Sequence, residues 1–268
     1  MSSSPSPGPR PGPRRRTLAL CALPLVALLA VACLAPLPFT VAQPGITANV
    51  LGSYKGQQVI TVKGADEDAP SEGELRMVTI AATGPQASVH IADVVDGWFA
   101  TDREVLPRSA VYPVGDNVKE IERHGRKQMR TSQNHAVTAA LDELNLSPDD
   151  VTVKLRLADV GGPSAGLLFT LGIIDTLGDN GDLTGGRTIA GTGTITADGD
   201  VGPVGGIPLK TQAAHRDGAT VFLVPKAECA DAQAELPPGM RLIPVTTLDG
   251  ALTSLKALRT GDSVPHCP

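Results

Sequence analysis

The second half of the chain alternates between strand-like and helix-like segments, and this alternation constrains the fold more than any other feature. Residues 151–157 alternate apolar and polar side chains as a strand does, and residues 164–177 form a continuous apolar stretch typical of a buried helix. Further strand and helix patterns follow one another as far as residue 258. This order predicts an α+β fold, an α/β mixed sheet with helices packed against it.

The predicted elements are spread over most of the chain. Strands are predicted at residues 75–81, 88–91, 151–157, 187–196, 219–224 and 241–245. Helices are predicted at residues 116–146, 164–177, 207–216, 226–236 and 248–258.

Composition bounds the size of the fold and excludes one class of partner. The 268 residues are 41% hydrophobic and 19% charged, which is enough for one mid-sized domain with additional segments. The formal net charge is −5 and aromatic residues make up only 3%. A nucleic-acid partner is not expected, because basic patches and stacking aromatic side chains are both missing from this composition.

The N-terminal region predicts a membrane anchor. Residues 1–16 are rich in Ser, Pro and Arg and are predicted to be a disordered, basic cytoplasmic tail. Residues 17–42 carry no charge, and a helix over 18–37 would be about 30 Å long, the thickness of a hydrocarbon core. Because basic residues precede this stretch and none follows it directly, we expect a signal anchor with the remainder extracytoplasmic. One alternative is a secreted protein, released by signal cleavage after Thr40-Val41-Ala42, and another is a lipid-modified Cys33.

The exported part is expected to contain three segments. Residues 43–74 are predicted to be a linker with short β segments, residues 75–260 the main domain, and residues 261–268 a C-terminal tail. Cys229 and Cys267 are the only cysteines after the apolar segment. An oxidising compartment favours a disulfide between them, although two free buried thiols are the alternative.

A candidate nucleophile lies in Gly162-Pro163-Ser164-Ala165-Gly166, which matches the pattern G-x-S-x-G. Its serine needs a base. His215 and His266 follow it in the order of a Ser-His-Asp esterase, but His215 lies at the end of a predicted helix, where it suits the last carbonyls. His266 is two residues from the C-terminus. The esterase-type hydrolase therefore stays an alternative.

Lys210 is a second candidate base. It lies on the first turn of the predicted helix 207–216, among apolar residues. Burial would lower its pKa, and the positive end of the helix dipole would lower the pKa further. Taken alone, the position is better explained as a solvated surface lysine.

The segments GGPSAG, GTGTI and GGIPLKTQAAHRDGATVFLVPK together resemble the proteolytic domain of the Lon family of Ser-Lys proteases, over about residues 151–225. The segments LPFTVAQPGITANVLG and GWFATDREVLPRSAVYP are similar to the N-terminal part of YlbL-type membrane-anchored Lon-like proteins. The resemblance implies a Lon proteolytic-domain-like fold preceded by one transmembrane helix. It also implies that Ser164 is the nucleophile and Lys210 the general base.

The same resemblance implies supporting roles and partners. Thr192, in Gly191-Thr192-Gly193, would orient the lysine amine, and the backbone N–H groups of Ser164 and Ala165 would stabilise the oxyanion. The partners implied are protein or peptide substrates, with the membrane reached through the N-terminal helix. No cofactor is implied, and the Cys and His spacings predict no metal site. Lon-like domains tend to form rings, so a homo-oligomer is expected.

Two departures from the family shape the expected function. No G-x-x-x-x-G-K-[ST] nucleotide loop occurs in the sequence, and the PDZ domain usual in YlbL-type proteins has no counterpart before residue 151. We therefore expect an ATP-independent, membrane-anchored serine endopeptidase that acts on flexible or unfolded extracytoplasmic proteins. The alternative is a catalytically inactive Lon-like scaffold or binding module at the cell surface.

Overall fold

The computed structural model describes residues 13–64, 71–112, 117–157, 160–178 and 182–268. The strands are β1 (Phe39–Asn49), β2 (Ser53–Tyr54), β3 (Gln57–Gln58), β4 (Ile60–Lys63), β5 (Glu74–Ala82), β6 (Glu104–Pro107), β7 (Thr152–Leu155), β8 (Thr188–Gly191), β9 (Thr194–Ile195), β10 (Val201–Gly202), β11 (Val221–Pro225) and β12 (Arg241–Val245). The helices are α1 (Pro13–Leu34), α2 (Ile91–Phe99), α3 (Arg108–Val111), α4 (Val118–Glu143), α5 (Gly166–Leu177), α6 (Ile207–Arg216), α7 (Cys229–Ala234) and α8 (Leu248–Thr260), with a 3-10 helix at Lys226–Glu228.

A mixed six-stranded sheet organises these elements, in the order β12-β11-β8-β5-β1-β6. Strands β5, β8, β11 and β12 pair in parallel with one another in that order. Strand β1 pairs antiparallel with β5 on one side and with β6 on the other. Helices connect the parallel strands, as parallel pairing requires. The predicted mixed α+β architecture is therefore confirmed.

Helices cover both faces of the sheet, and the alternation of side chains along each strand divides the core in two. Leu75, Ile189 and Leu223 face the layer that contains α5 and α8. The sequence neighbours of two of these residues, Ala190 after Ile189 and Phe222 before Leu223, face the layer that contains α6 and α7. The sheet thus holds α5, which directly follows Ser164, and α6, which carries Lys210, on opposite sides.

Helix α5 is the most deeply buried element. Every residue from Gly166 to Asp175 is buried, and Leu167, Leu168, Phe169, Leu171 and Ile173 are fully enclosed. Helix α4 packs along α5, and a Cβ at Gly172 would approach the Ile60 side chain to 2.7 Å, so β4 also lies close. A helix that is apolar on all sides is stable only inside such a core.

The N-terminal region differs from the predicted boundaries. Residues 1–12 of the predicted tail lie outside the described residues, and 13–16 begin helix α1. This helix ends at Leu34, and residues 39–42 of the predicted anchor belong to β1. Within the described ranges, no helix combines the length and the apolar character needed to cross a membrane.

The predicted linker at residues 43–74 is part of the domain. Residues 43–49 continue β1 in the central sheet, and β4 pairs antiparallel with β7. Their sequence alone does not show that they belong to the domain. They are held in place by backbone pairing with strands that are distant in the sequence.

Two of the predicted strands, at residues 88–91 and 187–196, differ in the structure. Val89 forms only an isolated bridge with Leu37, and α2 begins at Ile91 because the Asp93 carboxylate accepts a hydrogen bond from the His90 N–H (2.8 Å). The predicted strand 187–196 is divided into β8 and β9 by Thr192 and Gly193. That interruption lies at the candidate active site.

Candidate active site

Ser164 lies in a tight turn directly before α5. Gly162 has φ +91°, a left-handed conformation that favours glycine, and this turns the chain toward the helix. The Ser164 carbonyl accepts hydrogen bonds from the Gly193 N–H (3.0 Å) and from the Thr192 hydroxyl (3.1 Å). The turn is therefore attached to the end of β8, while the Ser164 residue stays partly exposed.

Lys210 projects from the first turn of α6 into the interior. The helix begins at Gly206, whose φ of +68° is again left-handed. The lysine residue is only 3% exposed, between the buried residues Leu209 and Thr211. Burial lowers its pKa from 10.5 to about 8, because the charged ammonium loses its hydration, while the nearby carboxylates of Glu228 and Glu104 act in the opposite direction. A solvated surface lysine is excluded by this burial.

Thr192 connects the two residues. Its hydroxyl accepts a hydrogen bond from Lys210 Nζ (3.2 Å) and donates one to the Ser164 carbonyl (3.1 Å). Thr192 is fully buried, and its backbone N–H donates to the Leu223 carbonyl (3.1 Å), which extends the pairing of β8 with β11 by one residue. In the described part of the chain no hydrogen bond joins Ser164 Oγ to Lys210 Nζ, and Thr192 links the lysine amine to the backbone carbonyl of Ser164.

Ser164 and Lys210 line the same open cavity, of about 670 Å³. The sheet and α3 contribute apolar side chains to its lining, and α4 contributes the apolar Ile121 together with polar side chains. The lining includes Ile80, Leu106, Val111, Tyr112, His124 and Gln128. A cavity of this size and mixed polarity can hold several residues of an extended polypeptide.

The backbone at the start of α5 offers donors to this cavity. The first helical hydrogen bonds leave the N–H groups at a helix start without partners inside the helix. In the described residues, the amides of Ser164 and Ala165 donate to no other backbone group, whereas the Gly166 amide donates to the Pro163 carbonyl (3.3 Å). Two adjacent free N–H groups beside a hydroxyl are the arrangement that an oxyanion requires.

Two acidic residues near Lys210 were not expected from the sequence. Glu228 is buried, and its Oε2 accepts a hydrogen bond from the Val204 N–H (3.0 Å), in the loop that lines the cavity before α6. Glu104 lies on β6, and its carboxylate interacts electrostatically with Lys210. Burial raises the pKa of both carboxyl groups, and Lys210 lowers it. Neither residue belongs to a local motif, so only the fold could have identified them.

The two histidines considered as bases lie elsewhere. His215 is exposed near the end of α6 and lines a different surface depression, together with Gln233 and Leu236. His266 is exposed in the C-terminal tail. Neither lines the cavity at Ser164, so neither of these two histidines is in position to act as its base.

Cys229 and Cys267 form a disulfide, with their Cα atoms 5.5 Å apart. Cys229 begins α7, directly after Glu228, and Cys267 is in the C-terminal tail. Both residues are buried in the same cluster as Phe222 and Met240. The disulfide therefore attaches the tail to the layer of the domain that contains α6.

Comparison with known proteins agrees with this geometry. The model of the Lon protease (S16) C-terminal proteolytic domain matches residues 114–257, which is more than half of the chain and includes Ser164, Thr192 and Lys210. Lon protease 1 of Sorangium cellulosum (strain So ce56) is 32% identical over 167 residues, covering 57% of this chain and 19% of that protein. Lon protease of Chloroflexus aggregans (strain MD-66 / DSM 9485) is 41% identical over 97 residues, 34% of this chain and 11% of that protein.

Lon protease 2 of Bacillus subtilis (strain 168) aligns over a longer stretch, with 25% identity over 203 residues, 74% of this chain and 33% of that protein. In each of these alignments the chain covers a third or less of the relative's own length. The chain belongs to the Lon protease (S16) C-terminal proteolytic domain family.

Proposed function

We propose that this chain is a serine endopeptidase in which Ser164 is the nucleophile and Lys210 the general base. One observation carries the proposal: a lysine residue that is only 3% exposed, with its pKa lowered to about 8, lines the same cavity as a serine at a helix start. An amine with this pKa is partly neutral at physiological pH and can accept a proton, which an exposed lysine cannot do. The reaction needs no cofactor, metal or ATP.

The chemistry follows from the hydrogen bonds around the amine. Thr192 accepts an N–H of Lys210, which leaves the nitrogen lone pair available for the Ser164 hydroxyl proton. As that proton moves to Nζ, Oγ attacks the substrate carbonyl, and the amides of Ser164 and Ala165 stabilise the resulting oxyanion. Lys210 then protonates the leaving amine, and a water molecule hydrolyses the acyl-enzyme with Lys210 again as base. We expect the Ser164 hydroxyl to come within hydrogen-bond distance of Nζ when substrate binds, since both residues line the same cavity.

The shape of the site supports flexible substrates. The cavity is open, and its apolar side can take the side chains of an extended or unfolded polypeptide, whereas a folded domain cannot enter it. We therefore propose flexible or unfolded extracytoplasmic proteins as substrates, cleaved without ATP.

We also propose that residues 17–38, ahead of β1, anchor the chain in the cell membrane and stay attached. The support for an anchor is the uncharged sequence, preceded by a basic cluster. The support for retention comes from β1. Only residues 39–42 of β1 pair with β6, and signal cleavage after Ala42 would remove all four of them. Thr40 and Ala42 are fully buried within the sheet. Assembly into a homo-oligomer stays a prediction.

The test of the peptidase proposal is hydrolysis of an unfolded protein by the chain and two variants, Ser164→Ala and Lys210→Met. Both variants are expected to lose activity. Ser88→Ala and Lys226→Ala, which change exposed residues of the same types, are expected to retain it. Activity that survives Lys210→Met but is lost in His215→Ala would contradict the Ser-Lys dyad. Inactivity of every form, with folding intact, would favour the scaffold alternative.

The test of the anchor is fractionation of cells that express the full chain. The protein is expected in the membrane fraction after alkaline extraction, at its full length, and accessible to protease only from outside. A shortened protein that begins at Gln43 would contradict retention of the segment, and a protein extracted by alkali would contradict the anchor.

A further inference from the structure

Helix α2 presents an apolar stripe to solvent. Ile91, Val95, Trp98 and Phe99 are spaced so that they share one helical face, about 100° wide. Trp98 is 81% exposed and Phe99 85% exposed, values that large aromatic side chains rarely show in a folded domain. The helix is held to the domain by a different face, where Gly97 is buried against the side chain of Val105.

The stripe lies at the C-terminal end of the apolar helix α1. Leu37 follows the end of α1 by three residues, and its N–H donates to the Val89 carbonyl (2.7 Å). A single residue lies between Val89 and the start of α2. Helices α1 and α2 are in contact. The described apolar side chains of α1 are themselves exposed, up to 73% at Leu34. The stripe therefore continues an apolar surface that ends at the proposed membrane boundary.

The charges beside the stripe limit what can bind there. Asp93 and Asp96 flank it, and Asp96 forms an ion pair with Arg103. This leaves little net charge, so attraction to an anionic or cationic surface is not a driving force. Tryptophan and other aromatic side chains concentrate at membrane–water interfaces, where the ring is apolar and its N–H group remains hydrated.

A second copy of the chain fits this surface less well. A helix of 9 residues is only about 14 Å long, and its stripe offers much less than the roughly 800 Å² per partner that a stable dimer buries. A bilayer needs no complementary partner surface.

We propose that α2 lies in the interfacial layer of the membrane in which α1 is anchored, with Trp98 and Phe99 inserted among the lipid headgroups. This inference rests on the proposed anchor. It gives the domain a second point of attachment to the bilayer, next to β6, whose residue Leu106 lines the catalytic cavity. The cavity is thereby held at a constant orientation to the membrane.

The experiment uses the fact that Trp98 is the only tryptophan of the chain. The full chain is reconstituted into phosphatidylcholine liposomes, with and without bromine atoms on the acyl chains near the headgroups. The expected result is a blue shift of the tryptophan emission relative to the unfolded chain, and a loss of intensity with the brominated lipid. Adding anionic lipid is expected to change neither.

The matched control moves the tryptophan to a distant site, in the double variant Trp98→Phe, Tyr54→Trp. Tyr54 lies beyond the far end of β1, whose 11 residues span about 35 Å from the end of α1. The brominated lipid is expected to leave its emission unchanged.

Each other outcome overturns the inference. If the chain floats with the liposomes but Trp98 emits as in water, the anchor stands and the interfacial position of α2 is wrong. A blue shift without quenching by bromine assigns the stripe to a protein contact. A chain that does not float contradicts the anchor and this inference together. Hydrolysis of an unfolded protein by the same sample reports separately on the proposed peptidase activity.

Discussion

Glu228→Gln is expected to move the pH dependence of catalysis, because Glu228 is an acidic neighbour of the proposed base. The amide keeps an acceptor for the Val204 N–H but removes a negative charge that stabilises the protonated form of Lys210. The pKa of Lys210 should therefore fall. The pH profile of kcat/KM reports that pKa in the free enzyme, as the midpoint of its acid limb.

The magnitude follows from the pKa of about 8. Roughly one tenth of the amine is neutral at pH 7 and nine tenths at pH 9, so kcat/KM of the unchanged protein should rise about tenfold between these values. A close opposite charge shifts a pKa by about 1–3 units, and we take the lower end, since burial also raises the pKa of Glu228 itself. A shift of about one unit would make half of the amine neutral at pH 7, which raises kcat/KM there about fivefold and leaves it unchanged at pH 9.

The assay is hydrolysis of a fluorogenic peptide from pH 6 to about pH 10, with Glu235→Gln as the control at an exposed position just after α7. The control should retain the original midpoint. A profile of Glu228→Gln with an unmoved midpoint would refute the electrostatic argument. An increase in KM at every pH, with the midpoint unmoved, would instead assign Glu228 to the structure of the cavity wall.

Three further predictions concern stability and geometry. Lys210→Met should stabilise the fold by about 3 kcal/mol at pH 7, because the pKa of the lysine is about 8 in the folded protein and 10.5 in the unfolded chain. Thermal unfolding should show that this gain in stability disappears as the pH rises from 8 to 10.5. A gain that does not depend on pH would contradict this explanation. Thr192→Val should reduce kcat about 100-fold with little change in KM, as the amine loses its acceptor, while the control Thr138→Val on the exposed side of α4 keeps full activity. Removing the disulfide by Cys229→Ser with Cys267→Ser should cost about 2–4 kcal/mol of unfolding free energy in a denaturant titration, because it closes a loop of sequence separation 38; an unchanged midpoint would show that the tail contributes no stability.

Ser164 could be identified as a candidate nucleophile from a short local motif at a helix start. Lys210, taken alone, is better explained as a solvated surface lysine, and its role as the base came from the resemblance to the Lon proteolytic domain. The glycines before both residues and the apolar patterns of the two helices are local signals. Helices α5 and α6 were predicted within two residues of their ends for the same reason. Their periodic patterns are complete within the element itself.

The remaining parts of the site depend on contacts between distant residues. Glu104 comes within electrostatic range of Lys210 only because β6 pairs with β1, and the sequence gives no sign of that pairing. The predicted C-terminal boundary of the anchor, at residue 42, was wrong for a related reason. An uncharged, apolar segment suits a buried strand as well as a membrane helix, so the beginning of β1 could not be distinguished from its neighbour.

The hydrogen bonds of Thr192 and Gly193 determine how peptidase activity should be lost on heating. Ser164 is attached through its carbonyl to these two residues, and Thr192 is itself attached to Leu223 of β11. The nucleophile thus takes its position from the central sheet, the last part of such a domain to open. Peptidase activity and the global fold should therefore disappear in one transition, with no stable, inactive intermediate preceding it.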